Sequence, residues 1–192
     1  MQKKLLDANS PQQNYAARNL ERLKNNPLAY GGVLFNTRRG RSRPRPLALR
    51  HSMHLVLRAS QARGEWSFKR KHNEAKIRAI IQKFSQRHVV KILTLAIVGN
   101  HIHFHIKLSK LAHYPRFIRA LTAAIAIAVA GHARWQKTAG NKKKFWDHRP
   151  FTRIVVGARA VQRLVDYICI NQLEGFGNTK QEARFYHAMN SS

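Results

Sequence analysis

The most constraining feature of the sequence is a predicted β-hairpin between residues 89 and 108. Val89–Val98 (VVKILTLAIV) and His101–Leu108 (HIHFHIKL) both have the composition of β-strands, and only Gly99 and Asn100 separate them. A Gly-Asn pair between two strand patterns is typical of a tight two-residue turn. The two segments are therefore predicted to pair as antiparallel neighbours, and the fold has to contain an antiparallel sheet.

The second strand of this hairpin places three histidines on one face. Side chains alternate between the two faces of a strand, so His101, His103 and His105 share one face and the apolar residues between them share the other. The Cα atoms of residues i and i+2 are roughly 7 Å apart, which lets two ring nitrogens reach one metal ion at about 2.1 Å. A strand with exposed histidines and no ligand is the alternative, and a His-x-His pair alone does not separate the two.

The elements around the hairpin predict an α+β fold. Their order is β-α-β-β-α-β followed by a helix, which is the split βαβ, ferredoxin-like arrangement. We expect an antiparallel sheet that carries its helices on one face and leaves the other face to a ligand. The other predicted strands and helices are His51–Ala59 (strand), Asn73–His88 (helix), Tyr114–Trp135 (helix), Phe151–Val156 (strand), Ala158–Leu173 (helix) and Thr179–His187 (short helix).

Charge dominates the composition. Lys and Arg number 36 against 8 Asp and Glu, which gives a formal net charge of +28. A compact body with that charge repels itself, so a polyanion such as a nucleic acid is the expected partner. An anionic membrane surface is the alternative, but the apolar stretch Ala120–Ala130 is too short to cross a bilayer. With no apolar signal segment at the N-terminus, a cytoplasmic location is the default expectation.

Two residue counts exclude other kinds of site. Cys169 is the single cysteine, so the chain has neither an internal disulfide nor a cysteine-based zinc cage. Nucleases that hold two metal ions need several converging carboxylates, and the eight acidic residues here are few and scattered. If the protein cuts nucleic acid, we expect it to do so in another way.

The sequence divides into three parts. Residues 1–45 are predicted to be a basic N-terminal arm, residues 46–177 the folded domain, and residues 178–192 a tail with a short helix. The segment Arg38–Arg50 (RRGRSRPRPLALR) has six arginines, two prolines and no acid, so it is predicted to be extended. It is either a solvated linker or an arm along a phosphate backbone, and the overall charge favours the arm.

A tyrosine and an amide share one flank of the helix Ala158–Leu173. Tyr167 and Asn171 are four residues apart and therefore lie one turn above the other, at the edge of the apolar face. A phenol and a carboxamide would then point the same way. The alternative is a tyrosine at the boundary of the core and an asparagine near a helix end.

Together these two motifs resemble a known family. GNHIHFHIKL is similar to the Asn-His-hydrophobic-His strand of the HUH endonucleases, and DYICINQLEG is similar to the helix with the single nucleophilic tyrosine of the insertion-sequence-200-like transposases. That group includes transposases associated with repetitive extragenic palindromes (REP). The resemblance covers about residues 46–177.

The resemblance implies a role for each matched residue. His101 and His103 match the paired ligands of a divalent metal ion, Mg²⁺ or Mn²⁺, and Tyr167 matches the nucleophile. Asn171 matches the position of the third ligand, where the family more often has Gln, and the neighbouring Gln172 is an alternative. His105 replaces a residue that is usually apolar in relatives, and it opens the alternative ligand pair His103 and His105.

The implied activity is cleavage and rejoining of single-stranded or hairpin DNA through a 5′-phosphotyrosine intermediate, in a bacterial, nucleoid-associated protein. The implied assembly is a monomer, or a homodimer in which the partner supplies the tyrosine. Two other functions remain open. One is a non-catalytic ferredoxin-like nucleic-acid-binding protein, and the other is a palindrome-specific nicking enzyme kept by its host.

Several basic and aromatic residues are predicted to bind DNA. The segment KKKFWDHRPF interleaves cations with aromatic rings, a pattern that suits single-stranded DNA because bases stack on the rings. Alternatively, its two aromatic side chains anchor the segment in the core. The predicted DNA-binding residues are Arg38, Arg39, Arg41, Arg43, Arg45, His105, Lys142, Lys143, Lys144, Phe145, Trp146, His148 and Arg149.

Overall fold

The structure, a computed structural model, describes residues 46–131 and 144–190. These residues form an α+β fold with the predicted split βαβ order. In the described residues the elements are β1 (Ser52–Arg58), α1 (Lys71–Arg87), β2 (Val90–Val98), β3 (His101–Leu108), α2 (His113–Ala130), β4 (Phe151–Val155), α3 (Ala158–Gly175) and α4 (Lys180–Met189), with a short 3₁₀ turn at Gly64–Trp66. The predicted basic arm, residues 1–45, lies outside the described residues.

The four strands form one antiparallel sheet in the order β2-β3-β1-β4. The hairpin predicted from the sequence is confirmed, and β3 is a central strand between β2 and β1. In the β1–β3 ladder Leu55 lies opposite Phe104, and Val56 lies opposite His103. Residues opposite each other in such a ladder share a face of the sheet, so one face is apolar and the other carries the histidines.

The main core lies on the apolar face. Phe104 and Leu55 are fully buried there against Ile77 of α1 and against Phe117 and Leu121 of α2. These helix residues recur at helical spacing, so each helix buries one stripe against the sheet. In the described part of the chain, no helix is long and apolar enough to span a membrane.

The prediction that all helices lie on one face is wrong, because α3 lies on the histidine face. Ala96 of β2 is opposite His103 and therefore shares its face. Leu164 and Ile168 of α3 form a second buried cluster with Ala96 and with Val155 of β4. The apolar stripe of α3 needs a partner, and these two small or branched side chains provide it.

A glycine lets α3 approach the edge of the sheet closely. A Cβ atom on Gly175, at the end of α3, would lie only 3.3 Å from the backbone oxygen of Ile97. Another glycine shortens α2 relative to the prediction, which placed its end at Trp135. Gly131 has a left-handed conformation (φ 71°), and its N–H donates to the Ile127 carbonyl, so the helix ends at Ala130.

Candidate active site

Tyr167 and the hairpin histidines meet within one chain. The ring of Tyr167 lies 5.3 Å from the ring of His103, centroid to centroid, with the two planes at 88°. It also lies 5.9 Å from the ring of His54 on β1. Tyr167 keeps 48% of its surface exposed, so its phenol can be reached from solvent. The position of α3 on the histidine face is what brings the tyrosine there.

The rings of His101 and His103 are neighbours on the same face of the sheet, and within the described ranges each has one ring nitrogen without a hydrogen-bond donor role. Their rings are 4.8 Å apart at an angle of 83°. His101 Nδ1 is 2.8 Å from Asn100 Oδ1. A carboxamide oxygen can only accept, so Nδ1 of His101 carries the proton and Nε2 keeps its lone pair. Nε2 of His103 is buried and has no hydrogen-bond partner among the described residues.

His54 belongs to the site, and the sequence did not indicate it. Its Nε2 lies 3.1 Å from Nδ1 of His103, and the two rings are stacked at 5.3 Å with an angle of 19°. Both side chains are buried. The two residues are 49 positions apart in the sequence, and only the register of β1 against β3 brings them together. The sequence of β1 shows that His54 and Leu55 lie on opposite faces of the strand. Which of these faces carries the other histidines is known only once the pairing of β1 with β3 is known.

Burial keeps these histidines neutral. It lowers the pKa of His103 to about 2, with smaller effects from His101 and His54. Burial also lowers the pKa of His54 to about 4, helped by the charge of Arg153 and by His105. The pKa of His101 is lowered by burial and by the nearby charge of Arg58. Neutral imidazole is the form that binds a metal ion, so at neutral pH the pair is ready for one without losing protons.

The two histidines fit a divalent cation as part of its ligand set. The orphaned Nε2 of His103 and the free lone pair of His101 are donors of the right type. In the described ranges, no group of three His, Cys, Asp or Glu side chains could hold a metal ion. Within these ranges the remaining ligands would therefore have to be amides, solvent or the phosphate of bound DNA.

Two amides on α3 differ in their availability. Gln172 Oε1 accepts a hydrogen bond from the backbone N–H of Ile97 at 2.9 Å, so this oxygen is engaged with the edge strand β2. Asn171 donates from Nδ2 to the carbonyl oxygen of Tyr167 at 2.7 Å, which leaves its Oδ1 outside that bond. Asn171 as third ligand stays a prediction, and the competition from Gln172 is reduced.

A positively charged side chain, that of Arg58, lies beside the histidines, and neither sequence motif includes it. Arg58 lies opposite His101 in the β1–β3 ladder, and half of its side chain is exposed. Its Nε is 3.6 Å from Oδ2 of Asp147. Asp147 is itself fixed, because its carboxylate accepts from the backbone N–H and the hydroxyl of Ser60 at 2.8 and 2.6 Å. The sequence signal was the spacing of four from His54, which puts both residues on one face of β1.

The structure corrects three of the predicted DNA-binding residues. His105 is 2% exposed, and its two ring nitrogens are buried without partners in the described chain, so it offers no surface to DNA. Phe145 and Trp146 are partly buried and pack against Phe68 in the main core. The indole N–H of Trp146 donates to the Thr122 carbonyl at 2.9 Å. The rings of Phe145 and Trp146 therefore anchor residues 144–149 in the core, which was the alternative interpretation of the segment KKKFWDHRPF.

The other predicted DNA contacts stay predictions. Lys144, His148 and Arg149 are exposed. Residues 144–149 are tied to the end of β1 and to the loop after it. Asp147 N–H donates to the carbonyl of Arg58, and Gln61 donates to the Lys144 carbonyl. The remaining candidates fall outside the described residues: Arg38, Arg39, Arg41, Arg43, Arg45, Lys142 and Lys143.

Comparison with protein families matches residues 48–171 to a family described as "Transposase IS200 like". The match covers well over half of the chain and includes both the histidine strand and Tyr167. The chain belongs to the IS200-like transposase family. For this transposase the resemblance inferred from the two motifs is therefore confirmed. None of the curated proteins compared matches it.

Two solved structures of low sequence identity are similar to this IS200-like transposase, and the first of them shares its fold. One is a REP-associated tyrosine transposase bound to a REP hairpin, with a TM-score of 0.56 and 15% identity over 70% of this chain and 74% of that one. Another is a candidate transposase from Deinococcus radiodurans R1, with a TM-score of 0.43 and 14% identity over 71% of this chain and 98% of that one.

Proposed function

We propose that this transposase cleaves and rejoins single-stranded or hairpin DNA by forming a 5′-phosphotyrosine bond to Tyr167, with a divalent cation at His101 and His103. The observation that supports this most strongly is the edge-on contact of Tyr167 with His103, at 5.3 Å between ring centroids. A half-exposed phenol beside two neutral, partly unpartnered imidazoles is a suitable arrangement for a nucleophile next to a metal site.

In this reaction the phosphate keeps its bond to the 5′ oxygen and exchanges its bond to the 3′ oxygen for a bond to Tyr167. Tyr167 Oη loses its proton to solvent and forms a bond to phosphorus while the bond between phosphorus and the 3′ oxygen breaks. The released 3′ oxygen takes up a proton and becomes a hydroxyl, and the 5′ end stays on Tyr167. The bond between Tyr167 and the DNA is again a phosphodiester, so little bond energy is lost. A 3′ hydroxyl can therefore reverse the attack later, and rejoining needs no nucleoside triphosphate.

The chain's own residues prepare the site before DNA arrives. His101 and His103 would hold the cation through Nε2, with Asn171 as the candidate third ligand. When bound, Mg²⁺ or Mn²⁺ supplies charge neutralisation and orientation of the phosphate. Arg58 adds a fixed positive charge beside His101, where it would bind a neighbouring phosphate.

DNA as the substrate is supported by charge and by fold. The net charge of +28 favours a polyanion. The REP-associated relative of the same fold was solved bound to a REP hairpin, which makes a DNA hairpin a reasonable first substrate to test. Because Tyr167 contacts His103 within one chain, we propose that a single subunit can supply the whole site.

The test is a covalent-adduct assay with matched tyrosine variants. The protein is incubated with end-labelled single-stranded DNA, from a pool that contains hairpins, plus Mg²⁺ or Mn²⁺, and is analysed on denaturing gels. We expect an adduct that disappears with EDTA and with Tyr167→Phe. Tyr186→Phe is the control, because Tyr186 is equally exposed (47%) but lies on α4, where its ring contacts Phe185 and not a histidine.

Two results would contradict the proposal. One is an adduct that persists in Tyr167→Phe, which would assign the nucleophile to another residue. The other is the absence of any adduct across the pool with either cation, combined with DNA binding that is indifferent to EDTA. The second result would favour a non-catalytic DNA-binding protein.

A further inference from the structure

The hydrogen bond between His54 and His103 joins a candidate metal ligand to a residue that no motif includes. His54 Nε2 and His103 Nδ1 are 3.1 Å apart. Both side chains lie on the face of the sheet that α3 partly covers. His54 is 8% exposed and His103 is 3% exposed. In this setting water cannot easily replace either partner, so the proton between these two nitrogens has to be assigned.

Two assignments are possible for a pair of neutral rings. In the first, His103 Nδ1–H donates to His54 Nε2, and His103 Nε2 is left with a lone pair. In the second, His54 Nε2–H donates to His103 Nδ1, and the proton of His103 moves to Nε2. That second proton would point into a buried space where Nε2 has no acceptor among the described residues. Only the first assignment offers a lone pair to a cation.

We propose that His54 is a positioning residue that accepts the Nδ1 proton of His103 and thereby presents Nε2 of His103 to the divalent cation. This inference rests on the proposed function, since it concerns the same site. Asn100 has the equivalent task for His101, because its Oδ1 lies 2.8 Å from Nδ1 of that ring. Each proposed ligand therefore has its own acceptor, one from the turn and one from the neighbouring strand.

The geometry singles out His54 rather than the nearer histidine in sequence. His105 is two residues from His103 on the same strand, but neither of its ring nitrogens has a partner in the described chain. His54 lies opposite His105 in the ladder and leans towards His103, with the two rings nearly parallel at 19°. Stacking and the hydrogen bond together fix both the tilt and the tautomer of His103.

The test compares an acceptor-keeping variant with an acceptor-deleting variant. His54→Gln puts an amide oxygen near the position of Nε2, whereas His54→Leu removes the acceptor at similar volume. The first readout is metal-free: long-range ¹H–¹⁵N spectra of the full-length, histidine-labelled protein at neutral pH, which distinguish the two ring tautomers. We expect His103 to carry its proton on Nδ1 in the wild type and in His54→Gln, and to carry it on Nε2 in a large fraction of His54→Leu.

The second readout is Mn²⁺ affinity, measured by the EPR signal of free Mn²⁺. Loss of such an outer acceptor typically weakens metal binding about 10- to 100-fold, so we expect that loss in His54→Leu and most of the affinity back in His54→Gln. His72→Leu, an exposed histidine of α1, controls for the removal of one histidine and should bind as the wild type does. Circular dichroism at the assay temperature checks that each variant is folded.

The two proposals fail in different ways. If His103 carries its proton on Nε2 in the wild type, or if His54→Leu binds Mn²⁺ as tightly as the wild type while His101→Ala does not, the role of His54 is overturned and the proposed site survives. If His101→Ala and His103→Ala both bind Mn²⁺ as tightly as the wild type, the metal site itself is wrong, and the role of His54 is overturned with it.

Discussion

Tyr167 of α3 meets His103 of β3 edge to face, with ring centroids 5.3 Å apart and planes at 88°. The two residues are 64 positions apart in the sequence, and α2 and β4 lie between the elements that carry them. Their contact exists because α3 lies on the histidine face of the sheet, where Leu164 and Ile168 bury against Ala96 and Val155. The position of the tyrosine therefore depends on how α3 is held.

Gln172 is predicted to hold α3 against the sheet. Its Oε1 accepts from the N–H of Ile97 on the edge strand β2, one and a half turns after Tyr167. Gln172→Ala removes that acceptor from a partly buried donor, so we expect the free energy of unfolding to fall by about 1–2 kcal/mol. We also expect slower adduct formation at Tyr167. Urea denaturation and the adduct assay measure the two effects.

Gln162→Ala is the matched control for this change. Gln162 lies on the same helix, but its amide bonds to Asp166 on the exposed side at 2.8 Å. Its removal should change the free energy of unfolding by less than about 0.5 kcal/mol. Equal effects of the two substitutions would show that the contact with Ile97 does not hold the helix.

Arg58 is predicted to bind a DNA phosphate next to His101. For single-stranded DNA, each lost phosphate contact reduces the slope of log K against log salt by about 0.7. Arg58→Ala should show that change, with affinity about fivefold lower at 0.1 M salt. Fluorescence anisotropy over a salt series measures it. Arg78→Ala is the control, because Arg78 pairs with Glu74 on α1, on the other side of the sheet.

Acid should destabilise the metal-free protein through its buried histidines. The folded-state pKa values, about 4 for His54 and about 2 for His103, lie below the value of about 6.5 in an unfolded chain. Below pH 6.5 the unfolded chain therefore binds protons that the folded chain does not. Stability that is fully present above pH 6.5 falls towards pH 4, by up to about 1.4 kcal/mol per pH unit for each ring.

Denaturant unfolding between pH 7.5 and 4.5 in EDTA measures this effect. His54→Gln should have a shallower pH dependence than the wild type, because one of the two rings is gone. A free energy of unfolding that stays constant from pH 6.5 to pH 4.5 would mean that these histidines take up protons in the folded state, contrary to the lowered pKa values.

Trp146 is predicted to matter for stability rather than for DNA binding. Its ring packs near Phe68, and its N–H donates to the Thr122 carbonyl. Trp146→Ala should lower the free energy of unfolding by roughly 2–3 kcal/mol, less than for a fully buried tryptophan. Phe185→Ala, at a side chain that is 63% exposed on α4, should have little effect. Weaker DNA binding by Trp146→Ala without loss of stability would restore the stacking interpretation.

Local patterns were sufficient to predict the strands, the hairpin and the shared face of the histidines. Alternation in β3 and the Gly-Asn turn are properties of adjacent residues, and they appear in the structure as expected. The two motifs also identified the family correctly. The prediction for α3 was incomplete because a helical wheel gives the apolar stripe of a helix but not the sheet face on which that stripe packs.

The parts of the site that were missed depend on contacts between distant segments. His54 and Arg58 reach the histidines only through the register of β1 with β3, which the sequence of either strand does not specify. Phe145 and Trp146 have the composition of a stacking platform, and their burial depends on Phe68, 77 residues earlier in the case of Phe145. In both cases the residue types were visible, but their partners were not.

Identification of the DNA-linked residue tests the central claim most directly. The covalent adduct would be trapped with Mn²⁺, digested with protease and nuclease, and sequenced by mass spectrometry. The account predicts a nucleotide attached through its 5′ phosphate to the peptide that contains Tyr167, with Tyr186 unmodified. Attachment to any other residue, or through a 3′ phosphate, would contradict it.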